Sequence, residues 1–163
     1  MKKAAVFMGS INDMPVVEKA AATMKEFGIE VTIHVLSAHR TPSAVCGFAS
    51  TARENGYGVI IAAAGMSAHL AGVIAAHTPL PVIALPLKNQ ALDGMDALLS
   101  MVMMPPGVPV ACVGIDCAKN AGYLAAQILG VGDEALMDKF AAFKQKQFDD
   151  CMKINEDAQA KYN

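Results

Sequence analysis

One pattern constrains this chain more than any other. A short apolar run is followed by a longer helical stretch, and the pair recurs five times. The apolar runs are "AAVFM" (4–8), "EVTIHVL" (30–36), "GVIIAAA" (58–64), "PVIALPL" (81–87) and "PVACVGI" (109–115). Each has the length of a buried strand and lacks the polar alternation of a half-solvated one. Between and after them, helices are expected at 15–27, 42–55, 68–77, 94–104 and 117–129. Asp13 is placed to cap the first, Pro15 suits its first turn, and Gly28 suits its end. Strands alternating with helices make βαβ units, hence a parallel sheet covered on both faces. The expected architecture is one doubly wound, flavodoxin-like α/β domain over residues 1–130, with five strands in the order 2-1-3-4-5. Residues 131–163 form a helical extension rather than an independent domain, because its long helix has no partner strand. That helix is expected to pack on a neighbouring subunit, with an intrachain lid as the alternative.

Composition narrows the function. Apolar residues make up 54% of the 163 positions and charged ones 17%, against about 45–50% and about 25% in ordinary soluble domains. The excess points to surface buried between copies of the chain, hence a homo-oligomer. No apolar run reaches the ~18 residues of a membrane span. The apolar stretch after Lys2 and Lys3 is too short for a signal-peptide core, so a cytoplasmic location is expected. The net charge of −2 and the lack of a Lys/Arg cluster argue against nucleic acid. Cys46, Cys112, Cys117 and Cys151 have no CxxC spacing and never pair with histidines at ligand spacing. Free thiols and no metal site are therefore expected.

In such a fold the ligand sits beyond the carboxyl ends of the strands, where strand order reverses. The three unusual loops follow the first three strands and should meet there. "GSIND" (9–13) offers Gly9 for a tight turn, the Ser10 hydroxyl, and a helix N-terminus suited to an anion. Asp13 can be a plain cap or can accept hydrogen bonds from a ribose diol. "SAHRTP" (37–42) places Ser37, His39 and Arg40 at the mouth of the sheet. Arg40 has the planar fork that suits phosphate, and an imidazole can give and take a proton near neutral pH. A solvated arginine and a loop-holding histidine are the plainer readings of the same residues. "AGMSAHLAG" (64–72) supplies Gly65, a second histidine, His69, and a set of small residues. That set leaves room for a ligand, or equally for close helix packing. His34 and His77 receive no function.

Taken together, "MGSIND", "SAHRTP", "SAHLAG", "LPVIALPL", "ALDGMDALLSMVMMPPGVPVACV" and "NAGYLAAQIL" resemble the N5-carboxyaminoimidazole ribonucleotide mutase family of purine biosynthesis. The resemblance is collinear from about residue 4 to residue 129. It implies an octamer of flavodoxin-like subunits, with no metal or organic cofactor. It also implies an isomerase that converts N5-carboxyaminoimidazole ribonucleotide into 4-carboxy-5-aminoimidazole ribonucleotide on the route to IMP. By position, Ser10 and Arg40 would bind the phosphate and Asp13 the ribose hydroxyls. His39 would be the general acid/base, with His69 beside the migrating carboxyl group. Gly9, Ser37 and Gly65 complete the expected substrate contacts, and Leu70 belongs to a small apolar pocket for carbon dioxide. The chain departs from the family pattern at Asn12, Met14, Ala63, Met66, Ser67 and Ala71, and Met66 stands where the family commonly has glycine.

Three rival functions share the scaffold. A direct carboxylase using free carbon dioxide tends to carry lysine in place of Arg40 and to lack the "AHLxG" pattern. A non-catalytic nucleotide-binding module would need Ser10, Asp13 and Arg40 but not His39. A flavodoxin-like electron carrier is disfavoured because the chain has no tryptophan and no Ser/Thr-rich loop after the first strand.

Overall fold

A computed structural model describes residues 3–162. Five parallel strands form one sheet: β1 (Lys3–Met8), β2 (Glu30–Val35), β3 (Val59–Ala64), β4 (Val82–Pro86) and β5 (Ala111–Cys112), in the order β2-β1-β3-β4-β5. This is the order the sequence led us to expect. Every pairing is parallel, so each strand starts from the same edge and delivers its following loop to the other. Helices α1 (Met14–Glu26), α2 (Pro42–Thr51), α3 (Leu70–His77), α4 (Met95–Val102), α5 (Ala118–Gly130) and α6 (Glu134–Tyr162) complete the chain.

The period-two alternation of the strands divides the core into two layers. Val6, Met8 and Ile61 point to the side covered by α1, α5 and the start of α6, where they meet Val17, Met24, Ala121 and Leu136. Phe7, Ile60 and Ala62 point to the side covered by α2, α3 and α4, where they meet Val45, Ile74 and Met101. All six residues of β3 are buried, as a central strand with both faces covered requires. The edge strand β2 is partly exposed along its length. Its His34 stacks on Phe7 at 4.8 Å between ring centroids and shares a 2.9 Å hydrogen bond with Thr32 Oγ1. Burial lowers the His34 pKa, in keeping with a packing role. At the end of α3, the His77 ring donates to the Val73 carbonyl.

Helix α1 closes as expected at Gly28, whose φ is +79°. The Gly28 N–H donates to the Lys25 carbonyl and the Ile29 N–H to the Met24 carbonyl, which is the paired pattern of a Schellman motif. Two elements are shorter than the sequence suggested. Only Ala111 and Cys112 pair with β4, because Pro109 has no N–H to give and Asp116 (φ +55°) turns the chain. Helix α2 ends at Thr51 rather than 55, and the chain turns at Gly56, where φ is +86°.

Helix α6 is the long terminal helix expected from the sequence. Leu136 and Phe140 are buried, and Phe143 stacks on Tyr123 of α5 at 4.6 Å. From residue 144 onward the helix is exposed, with Phe148 at 60% and Ile154 at 69%. No residue of α6 lines the cleft described below, so it forms no lid over it within the chain. No helix among the described residues is long and apolar enough to cross a membrane.

Helices α1 and α5 pack closely at a glycine. A Cβ at Gly122 would sit 2.8 Å from the Ala20 carbonyl oxygen and 2.8 Å from Thr23 Cβ. Gly122→Ala should therefore destabilise the fold although alanine is the better helix former. Overpacking costs about 1–3 kcal/mol, against a propensity gain of about 1 kcal/mol. A higher midpoint in urea for the variant would contradict this packing.

Candidate functional site

The loops after β1, β2 and β3 meet at one end of the sheet and enclose a cleft of about 650 Å³. That volume lies within the ~300–1,000 Å³ range of small-molecule sites. Gly9, Ser10, Asp13, Ser37, His39, Arg40, Gly65, His69 and Leu70 all line it. The structure thus brings every site residue expected from the sequence to one place.

The first loop holds a correction. The sequence placed Asp13 as a helix cap, but its side chain makes no capping bond to α1. A short 3-10 turn, Ile11–Asp13, intervenes, and Ser10 Oγ caps it by accepting the Asn12 N–H at 3.2 Å. The Asp13 carboxylate is left for the cleft. Burial raises its pKa, and a backbone hydrogen bond from Ser10 opposes the rise in part.

The second loop is held from within. Thr41 Oγ1 accepts the Ser37 N–H at 2.9 Å, and the Thr41 N–H donates to the Ser37 carbonyl at 2.9 Å. Ser37 Oγ accepts the N–H groups of His39 at 3.3 Å and Arg40 at 3.2 Å. The backbone carrying both functional side chains is therefore folded around one serine hydroxyl, as Ser/Thr turns allow. Arg40 reaches across to the first loop, where its Nη2 donates to the Gly9 carbonyl. The guanidinium thereby joins the two loops on either side of the β1–β2 pair.

The third loop supplies the partner for His39. His39 Nε2 and His69 Nδ1 lie 2.9 Å apart in a hydrogen bond, with the rings nearly perpendicular at 89°. His69 occupies the N-cap position of α3 but makes no side-chain cap bond, so its ring is committed to His39. One ring must donate while the other accepts. Were both protonated, each nitrogen would carry a hydrogen and the bond would be lost. The pair is built to hold one shared N–H, a fit arrangement for moving a proton. Both rings are exposed to the cleft, whereas Leu70 and Ala68 behind them are buried.

Sequence reasoning missed the fourth wall. Leu87, Lys88 and Asn89, just after β4, also line the cleft. Asn89 organises that loop: its Oδ1 accepts the N–H groups of Ala91 and Leu92, and its Nδ2 donates to Asp96. Lys88 Nζ lies 3.1 Å from Asp93 at the surface. The signal was available, since β4 ends at the same edge as β1 to β3, but polar residues in "LKNQALDG" resemble any solvated loop.

The raised pKa of Asp13 has a sign that can be tested. Ionisation is harder in the folded state than in the unfolded one. Stability therefore falls as pH rises from the ordinary carboxylate value through the raised one, and stays lower above it. Asp13→Asn, which removes the half-buried charge and keeps an acceptor for Ser10, should melt higher than the parent at neutral pH. The difference should close as pH is lowered through that window. Thermal scans between pH 3 and pH 8 would show it, and a variant less stable at pH 7 would contradict it.

The same architecture occurs in known proteins. The family model for AIR carboxylase matches residues 3–150. A Pyrococcus abyssi protein named N5-carboxyaminoimidazole ribonucleotide mutase is 48% identical over 145 residues, covering 89% of this chain and 83% of that protein. A Vigna aconitifolia protein named chloroplastic phosphoribosylaminoimidazole carboxylase is 48% identical over 140 residues, covering 86% of this chain. The chain spans only 25% of that plant protein's length. Among solved structures, Treponema denticola PurE superposes with a TM-score of 0.87 at 29% identity, covering 94% of this chain and 96% of that one. A match across so much of the chain shows that it belongs to the AIR carboxylase family.

Proposed function

We propose that this chain is an N5-carboxyaminoimidazole ribonucleotide mutase, moving a carboxyl group from N5 to C4 of the aminoimidazole ring in purine biosynthesis. The observation that carries this reading is the His39–His69 hydrogen bond, 2.9 Å long, in a cleft that also holds Arg40. Arg40 and Ser10 take the phosphate, and Asp13 takes the ribose hydroxyls. The ring then lies toward the histidine pair. His39 delivers a proton to the N5 side as the N–C bond breaks and carbon dioxide leaves. The electron-rich C4 attacks the released carbon dioxide, and His39 removes the C4 proton. His69 keeps the His39 ring oriented through both steps and lies beside the carboxyl group in transit. Gly65 and the neighbouring alanines let the ligand approach the backbone closely, with Leu70 behind them. No redox or electron-sink group enters these steps.

This reading differs from its rivals in what it requires. A non-catalytic binding module has no use for two bonded imidazoles facing a cleft. A direct carboxylase needs dissolved carbon dioxide, whereas the mutase does not. The purified chain given N5-carboxyaminoimidazole ribonucleotide, with no added bicarbonate, should form the C4-carboxylated product. Absence of product there, with product from aminoimidazole ribonucleotide plus bicarbonate, would favour the carboxylase.

Single substitutions should separate binding from chemistry. His39→Asn should retain ribonucleotide binding and lose at least about 10⁴-fold in turnover, the upper range for general acid–base catalysis. Arg40→Ala should chiefly weaken binding, by about 1.5–3 kcal/mol for a charge-assisted contact. Near-normal turnover by His39→Asn would end the mechanism.

The assembly belongs to the same proposal. The apolar excess and the bare outer half of α6 support a homo-oligomer, an octamer by resemblance, and the resemblance to a purine-biosynthesis enzyme supports a cytoplasmic location. Removal of residues 144–163 spares the buried anchors Leu136 and Phe140. It should leave the domain folded but reduce the assembly measured by light scattering. A folded monomer from the full-length chain at micromolar concentration would contradict the proposal.

A further inference from the structure

Helix α2 begins with a residue that does not cap it. Thr41 holds the N-cap position, with φ −134° and ψ 49°, because the following Pro42 keeps the residue before it away from helical angles. A threonine there ordinarily turns its hydroxyl onto a free N–H of the first helical turn. Thr41 makes no such bond. Its side chain turns back to Ser37 instead. Thr41 Oγ1 accepts the Ser37 N–H at 2.9 Å and donates to the Ser37 carbonyl at 3.1 Å, and the Thr41 N–H donates to the same carbonyl at 2.9 Å. Both main-chain polar groups of Ser37 are thus held by one residue. Ser37 Oγ in turn holds the N–H groups of His39 and Arg40. Those two side chains then reach different partners, His39 to His69 on the third loop and Arg40 to Gly9 on the first. Thr41 itself does not line the cleft.

We propose that Thr41 is a positioning residue for both functional side chains of the second loop: its hydroxyl fixes Ser37, and through Ser37 it aims His39 at His69 and Arg40 at the phosphate. The inference rests on the mutase reading above where turnover is concerned. Helix α2 forgoes a cap that its threonine would ordinarily supply, and the loop gains a closed frame. A hydroxyl closes that frame because it accepts and donates at once, whereas a methyl group in its place does neither. The consequence is specific. His39 serves the chemistry and Arg40 serves binding, so loss of either one chiefly moves one quantity. Loss of the frame moves both, because a misplacement of about 1 Å at a reacting group costs about 10²-fold in rate.

The test compares two variants of the full-length chain. Thr41→Val keeps the branched shape and removes the hydroxyl, and Thr41→Ser keeps the hydroxyl. Thr41→Val should lower turnover of N5-carboxyaminoimidazole ribonucleotide by about 10–100-fold. It should also weaken ribonucleotide binding several-fold, while melting within a few degrees of the parent. Thr41→Ser should restore most of both. Added to His39→Asn, Thr41→Val should cost no further turnover, since it acts on the chemistry through that ring. In ¹⁵N-histidine-labelled protein, the imidazole N–H shared by His39 and His69 should give a hydrogen-bonded signal in the parent and in Thr41→Ser, and lose or shift it in Thr41→Val. Turnover and binding unchanged in Thr41→Val overturns the inference. An equal loss in Thr41→Ser assigns the effect to side-chain shape and also overturns it. Thr41→Ala, which removes the hydroxyl and the methyl together, gives the same reading if valine unsettles the fold. A parent chain that forms no C4-carboxylated product overturns the mutase reading, and the imidazole signal then decides this inference: lost or shifted in Thr41→Val it stands, unaltered it falls.

Discussion

The site depends on the register of β1 with its two neighbours. Met8, the last residue of β1, pairs with Val35 on one side and with Ala63 on the other. Three strands therefore end at nearly the same height, and the loops that begin at residues 9, 36 and 65 leave the sheet side by side. Parallel pairing makes this possible, since antiparallel neighbours would send alternate loops to opposite edges. Residues 31 and 30 positions apart in sequence then bond directly, Arg40 to Gly9 and His69 to His39. Those two bonds tie the loops to one another, while the Ser37–Thr41 clasp and the Ser10 and Ser37 hydroxyls hold them from within.

Much of this was legible in the chain because local and global signals agree. The runs "AAVFM" and "GVIIAAA" fill strands buried on both faces, and the reversal in strand order predicts where their loops meet. What was not legible depended on geometry that composition does not encode. "PVACVGI" has the apolar content of a seven-residue strand, yet two residues pair, because Pro109 brings no N–H to the ladder and the chain turns at Asp116. Asp13 stands where a cap belongs, and only the intervening 3-10 turn shows that Ser10 takes the capping role. The bond between His39 and His69 could not be read from either loop, since it requires the side chains and not only the backbone edge to converge.

The cleft is also where the chain departs most from local rules. Asp13 keeps a carboxylate that burial disfavours, and Met66 keeps a backbone angle that suits glycine. His39 and His69 spend their hydrogen-bonding capacity on each other rather than on the main chain. A fold selected only for stability would remove such features, and functional sites are where they are expected to survive. The two layers of core supply the excess that supports them, through residues such as Phe7, Ile60, Ile61 and Leu85 that have no exposed surface at all.

The outer half of α6 has a consequence of a different kind. Residues 144–162 meet almost nothing within their own chain, so their helical order rests on local propensity. A segment of that length lies close to the ~12–15 residues below which an isolated helix is marginal in water. The sheet and its cleft are held by two layers of core, whereas this segment has little beyond its own backbone hydrogen bonds to hold it. Within the chain it is therefore the part of the fold whose helix content answers most directly to temperature and solvent, at a point far from the cleft.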